Sequence, residues 1–176
     1  MSPMKDLSDL TRKRYERNAP FYDLMESPIE GLKFSRVRAR LRERITGYRA
    51  LEAGVGTGKN ILYYPDNIEI FAVDISPRML KRAQKRADKC GKRIHIREMD
   101  VQSLQFPDRF FDTVFATCVF CSVPDPVRGL RELHCVCKPD GKLVLIEHMR
   151  PGHPLLGAVF DGMNPFAVRI SGANIN

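Results

Sequence analysis

From residue 48 onward, short runs of β-branched and aromatic residues alternate with longer stretches in which apolar positions recur every three or four residues. The first pattern fits strands and the second amphipathic helices. Their alternation predicts βαβ units, an α/β fold with a mostly parallel sheet and helices on both faces. The predicted strands are Tyr48 to Ala53, Ile68 to Asp74, Arg93 to Met99, Phe111 to Thr117 and Lys142 to His148. Between them, Gly58 to Tyr64, Pro77 to Cys90 and Pro126 to Lys138 read as helices. Pro77 and Pro126 suit first-turn positions, where a missing N–H costs nothing, and Ser76 and Asp125 stand just before them as N-caps. Gly91 marks a helix stop, and Lys138-Pro139-Asp140-Gly141 a turn into the last strand.

Residues 1–47 form a separate N-terminal helical arm ahead of the sheet domain, residues 48–176. On a helix from Ile29 to Ile45, Phe34, Val37, Leu41 and Ile45 share one stripe, and arginines flank it. That stripe suits packing on the sheet domain, with long Arg stems reaching outward, and equally suits a helix lying on anionic lipid.

Charge sharpens this picture. The 176 residues carry 29 Lys and Arg against 21 Asp and Glu, a formal net charge of +8, which favours an anionic partner such as a membrane surface, a nucleic acid or an acidic small molecule. Lys33, Arg36, Arg38, Arg40, Arg42, Arg44 and Arg49 lie close together against a single acid, Glu43, either as a solvated helix face or as a face toward lipid or substrate. No run of about eighteen apolar residues and no secretory leader is visible, so a cytoplasmic protein is expected, peripheral at most on the inner membrane face. Five cysteines, an odd number, favour reduced thiols over a disulfide framework.

The candidate chemistry begins at Ala50-Leu51-Glu52-Ala53-Gly54-Val55-Gly56-Thr57-Gly58, a strand running into a glycine-spaced turn and then a helix. Such glycines let the chain turn tightly and let a ligand approach the main chain. Asp74, twenty residues after Gly54, ends the second strand, where an acid can bind both ribose hydroxyls of an adenosine. A plain tight turn with a capping acid is the simpler alternative. Glu52 beside the glycines would repel a pyrophosphate yet help hold a cationic amino-acid moiety. Asp100, closing the third strand, can accept from an adenine amino group. The spacing is also G-x-G-x-G rather than the dinucleotide fingerprint G-x-G-x-x-G.

Taken in order, Leu51 to Gly58, Val73 to Leu80, Asp100-Val101, Phe111 to Val114 and Leu133 to Glu147 resemble the successive motifs of class I S-adenosylmethionine (SAM)-dependent methyltransferases. The resemblance implies a Rossmann-like fold with SAM as cofactor and S-adenosylhomocysteine as product. It implies that Gly54, Gly56 and Gly58 line the methionine part, Asp74 binds ribose, Ile75 and Met79 flank adenine, and Asp100 with Val101 reads the adenine edge. The arm segment Tyr15 to Asp23 is similar to that of the UbiE-like group, particularly its bacterial phosphatidylethanolamine N-methyltransferase members. The tract Cys118 to Val123 and the closing Ile146-Glu147-His148 are similar to those of thiol methyltransferases.

By position, Thr117 and Cys118 should sit near the transferred methyl group. Tyr15 and Tyr22 are the arm hydroxyls that would orient an acceptor, and His148 the imidazole at the same sheet edge. Each has a structural alternative: Tyr15 and Tyr22 as packing, His148 as a framework residue, Cys118 as a small buried hydrophobe. His95 shows no partner in the sequence, and His134 reads as a surface residue. No metal is expected: Cys118-x-x-Cys121 and Cys135-x-Cys137 supply four thiols, but Cys118 falls at a strand end while Cys135 and Cys137 sit two apart on a helix and point apart.

The expected activity is methyl transfer to the amine of a phospholipid headgroup. The alternatives are C-methylation of a quinone precursor, methylation of a small molecule, or a non-catalytic SAM-binding or membrane-docking module. A nucleic-acid acceptor is disfavoured by the absence of an Asn/Asp-Pro-Pro-Tyr/Phe tract and of a basic groove with interleaved aromatics. The class resembled continues into a strand hairpin after the fifth strand, and this hairpin is expected to be missing before Asn176, with the fold completed by further chain or a partner.

Overall fold

The computed structural model describes residues 7–19, 34–147, 150 and 152–170. A helix α1 over residues 7–19 and α2 (Ser35–Arg44) precede a five-stranded sheet. The sheet is built from β1 (Arg49–Ala53), β2 (Glu69–Asp74), β3 (Ile94–Glu98), β4 (Phe111–Thr117) and β5 (Cys137–Ile146), with α3 (Pro77–Cys90), α4 (Pro126–Val136) and α5 (Pro154–Ile170) following β2, β4 and β5. The strand order is β3-β2-β1-β4-β5, and every pairing is parallel. This is the predicted Rossmann-like arrangement. The central strands β1, β2 and β4 are buried on both faces, as a helix-covered parallel sheet requires, whereas edge strands β3 and β5 are only partly covered.

Alternation along the strands divides the core into two layers. Ala50, Ile70, Ala72 and Phe115 face Leu41 and Ile45 at the end of the arm together with Leu80, Ala83 and Ala87 of α3. Leu51, Phe71, Val73, Val114 and Ala116 face Leu133 and Val136 of α4. The predicted arm stripe is therefore seated on the sheet through Leu41 and Ile45.

The predicted caps form. Ser76 Oγ accepts from Met79 N, Asp125 Oδ1 accepts from Arg128 N at 2.9 Å, and Gly91 closes α3 at φ +64°. Four expectations are corrected. The region read as a helix from Gly58 to Tyr64 is a turn followed by a short 3₁₀ segment, Ile61–Tyr63, because the glycine loop consumes the residues a helix would need. Helix α4 stops at Val136, so Cys137 opens β5 instead of sharing a helix with Cys135. The predicted turn 138–141 lies inside β5, as an irregularity between the pairs Phe111↔Cys137 and Thr113↔Lys142. His95, expected to be partnerless, lies 3.2 Å from Glu69 and stacks on Phe71.

Candidate functional site

The strand order reverses direction between β1 and β4, and an open α/β sheet leaves a crevice there beyond its carboxyl ends. A cavity of about 180 Å³ occupies that place. Its floor is the glycine loop after β1, held to β2 by Gly54 N–H and Val55 N–H, which both donate to the Val73 carbonyl at 2.8 and 3.0 Å. Gly54 adopts φ +71°, and a Cβ there would lie 2.3 Å from Val119 Cγ2. Gly56, at φ +55°, has nothing within 4 Å of the position a Cβ would take: it faces open cavity.

Of the sequence-derived cofactor residues, Glu52, Gly54, Gly56, Asp74, Ile75, Met79, Asp100, Val101, Thr117 and Cys118 all line this cavity. Gly58 does not. Its backbone packs against Ile61 and Ala83, so it serves the close approach of α3 to the loop. Tyr15 also lines the cavity, while Tyr22 and His148 lie outside the described residues.

Glu52 is 1% exposed. Its carboxylate accepts from Asn60 Nδ2 at 2.6 Å and from the Tyr64 hydroxyl. Burial pushes its pKa up to about 7, against the pull of those two bonds and of the nearby Arg38 charge. Asp74 accepts from Gly56 N and Ser76 N, both at 2.9 Å, and burial of its carboxyl again raises its pKa. With the Ile75 N–H as a third backbone partner, this carboxylate still has acceptor capacity for a ligand's hydroxyls. Asp100 accepts from Gln102 through both the backbone N–H, at 2.9 Å, and the side-chain amide, at 3.0 Å.

Cys118 takes up φ +55° at the end of β4, a conformation that strains a side-chain-bearing residue. Its N–H donates to the Ile146 carbonyl at 2.7 Å, and the bend turns the following loop back over the glycines. Glu147 Oε1 secures that loop by accepting from Val119 N at 3.0 Å and Phe120 N at 3.2 Å.

Several cavity residues escape a sequence reading. Arg38, one of many arm arginines, is only 8% exposed, and its Nη1 donates to Asn60 Oδ1. Asn60 could have been noticed as a polar residue directly after the glycine loop. Gln102 gives nothing away in the sequence, yet it joins Asp100, Ser8 of α1 (2.9 Å) and the N–H of Asp125 (2.9 Å). The Tyr15 hydroxyl meets Ser122 Oγ at 2.5 Å, and Thr11 Oγ1 donates to the Ser122 carbonyl at 3.4 Å. Helix α1 thus closes one side of the cavity by bonding to the loops after β3 and β4.

Chemically, the cavity presents three carboxylates, Glu52, Asp74 and Asp100, against the two cations Arg38 and Lys59, inside a protein whose overall charge is +8. A pyrophosphate would be repelled there, and a cationic ligand with hydroxyls welcomed. Ile75, Met79 and Val101 offer apolar surface for a flat ring. SAM, with its sulfonium, ammonium, ribose and adenine, fits this donor set. Among the described residues, no group of His, Cys, Asp and Glu is placed to hold a metal ion.

Comparison with known proteins agrees with the geometry. The family model described as a methyltransferase domain matches residues 51–145. The chain is 33% identical over 153 residues to a phosphatidylethanolamine N-methyltransferase from Cereibacter sphaeroides, covering 86% of this chain and 74% of that one. It is 31% identical over 162 residues to a demethylmenaquinone methyltransferase from Deinococcus radiodurans, covering 89% and 67%. Among solved structures, a SAM-dependent methyltransferase, possible histamine N-methyltransferase, from Thermotoga maritima superposes with a TM-score of 0.71 at 25% identity, over 93% of this chain and 73% of that one. Fold, cavity chemistry and relatives converge: the chain belongs to the methyltransferase-domain family and is a SAM-dependent methyltransferase.

Proposed function

We propose that the methyl acceptor is the amine of a phospholipid headgroup, as in phosphatidylethanolamine N-methylation. What carries this is the cavity wall contributed by the basic arm. Thr11 and Tyr15 of α1, Phe34 at the N-cap of α2 and Arg38 within it line the cavity, while Arg36, Arg40, Arg42 and Arg44 of α2 remain exposed. An acceptor entering past this rim meets cationic and apolar surface together, which suits a phosphodiester carried on acyl chains. The similarity to the C. sphaeroides enzyme supports the same choice. No described helix is long and apolar enough to cross a membrane, so the proposed contact is the arm resting on the anionic cytoplasmic face.

SAM supplies a methyl group already activated on a sulfonium, displaced in line by a nucleophile. In this proposal Glu52, Gly54 and Gly56 hold the methionyl part, Asp74 the ribose, and Ile75, Met79, Asp100 and Val101 the adenine. Thr117 and Cys118 flank the methyl group. An acceptor amine held unprotonated at that point would take the methyl group from the bound sulfonium, with the C–S electrons remaining on sulfur. The Tyr15 hydroxyl, steadied by Ser122, orients that amine. Tyr22 and His148 are proposed as a second orienting hydroxyl and as the imidazole that takes the proton released by the product ammonium.

The test is incubation with methyl-labelled SAM and anionic liposomes containing phosphatidylethanolamine, beside a quinone precursor and a small thiol. Label in the lipid supports the proposal. Turnover confined to another acceptor replaces it, and SAM binding without any turnover would make the chain a non-catalytic module.

A further inference from the structure

Among the five arginines of α2, Arg38 is the buried one, and burying a guanidinium is costly unless something at the site uses its charge. It lines the cavity with its guanidinium 5.6 Å from the Phe34 ring, and its Nη1 donates to Asn60 Oδ1. The other end of that amide donates to Glu52 Oε1 at 2.6 Å and to Thr117 Oγ1 at 3.1 Å. Asn60 thus holds a cation and an anion on its two sides, at the end of the cavity formed by the glycine loop. The free amino-acid end of SAM carries the complementary pair, an ammonium and a carboxylate.

We propose that Arg38 receives the α-carboxylate of the cofactor while Glu52 lies on the ammonium side, so that the arm helix α2 is tied to the sheet through the bound ligand. The fork of a guanidinium matches a carboxylate in two parallel hydrogen bonds, which an amide or a lysine cannot reproduce. Nothing in this assignment depends on the identity of the acceptor. It does predict discrimination: a ligand lacking only the carboxylate should bind poorly, and the penalty should disappear with Arg38.

The experiment is calorimetric titration of the full chain with SAM and with decarboxylated SAM, which keeps sulfonium, ribose, adenine and ammonium. The wild-type chain should bind the decarboxylated ligand about 10- to 100-fold more weakly, the range for loss of a charge-assisted hydrogen bond. In Arg38→Met the gap should close to within about threefold, because SAM binding falls while the other ligand is unaffected. If Arg38→Met does not fold by circular dichroism, Arg38→Lys makes the same comparison, with the gap reduced but not abolished. A gap that is absent in the wild type, or unchanged in a folded variant, overturns the assignment. So does a variant that keeps the gap yet loses turnover on phosphatidylethanolamine liposomes, which would place Arg38 on the acceptor. A wild type that binds neither ligand would remove the cofactor site altogether.

Discussion

Asn60 donates its side-chain amide to Glu52 at 2.6 Å, bridging the loop that follows the glycines to the carboxyl end of β1. The bond is enclosed by Tyr64 and Arg38, so Glu52 is held in a buried polar network whose charge state matters both to folding and to the ligand.

The pH dependence of the ligand-free protein follows from Glu52. Its pKa is raised from 4.5 to about 7 on folding, so the native state binds a proton more tightly than the unfolded chain does. Stability should therefore be undiminished below pH 4.5 and fall as pH rises through 7, with a contribution of about 3 kcal/mol from this group. Urea denaturation at pH 5 and pH 8 should show this loss in the wild type and a flatter profile in Glu52→Gln. The variant should also bind SAM at least about tenfold more weakly at pH 8, having lost the anion opposite the ammonium. Identical pH profiles would remove Glu52 as the cause.

Two glycines of one loop should respond differently to a methyl group. Gly54→Ala places its Cβ 2.3 Å from Val119 Cγ2 at φ +71°, whereas Gly56→Ala meets no atom within 4 Å and carries only the strain of φ +55°. Thermal melts should show Gly54→Ala strongly destabilised and partly rescued by Val119→Ala, with Gly56→Ala costing about 1 kcal/mol. The latter should nevertheless lose SAM binding, since its methyl group enters the cavity.

Asp112 is an anchor remote from the chemistry. Burial alone would raise its pKa, but the Lys138 ammonium at 2.5 Å and the backbone N–H groups of Arg49 and Tyr48 outweigh it and hold the pKa at about 2. Because the folded pKa is depressed, its contribution is present above pH 3.8 and lost as pH falls through 2. Asp112→Asn should cost about 1–3 kcal/mol at pH 7 and flatten the acid limb of the stability curve, leaving the affinity for SAM unchanged.

Tyr15 and Ser122 share a hydrogen bond of 2.5 Å, and single variants separate latch from chemistry. If Tyr15 only latches the arm, Tyr15→Phe and Ser122→Ala should lower activity equally. If its hydroxyl orients the acceptor, Tyr15→Phe should lower kcat about 10- to 100-fold with the KM for SAM unchanged, and Ser122→Ala should do markedly less.

The elements of the sheet domain were legible because their signals are local. Helix α3 begins and ends where Pro77 and Gly91 demand, and β4 spans the predicted Phe111–Thr117. The places where expectation failed are those where a backbone constraint overrode periodicity. The glycine loop left room only for a 3₁₀ turn at Ile61–Tyr63, and β5 absorbed the predicted turn as an irregularity in its register.

By itself the sequence determined the strand and the glycine turn that follows it, the acids at the ends of β1 and β2, the acid following β3, and so the class of ligand. All of these depend on spacing within one or two elements. Tertiary structure decided which polar residues complete the cavity. Arg38 reaches Asn60 across 22 residues, Gln102 meets Ser8 across 94, and Tyr15 meets Ser122 across 107. No periodicity encodes such pairings, because each depends on where parallel strands place their loops and on which arginine of the arm turns inward while its neighbours remain in water.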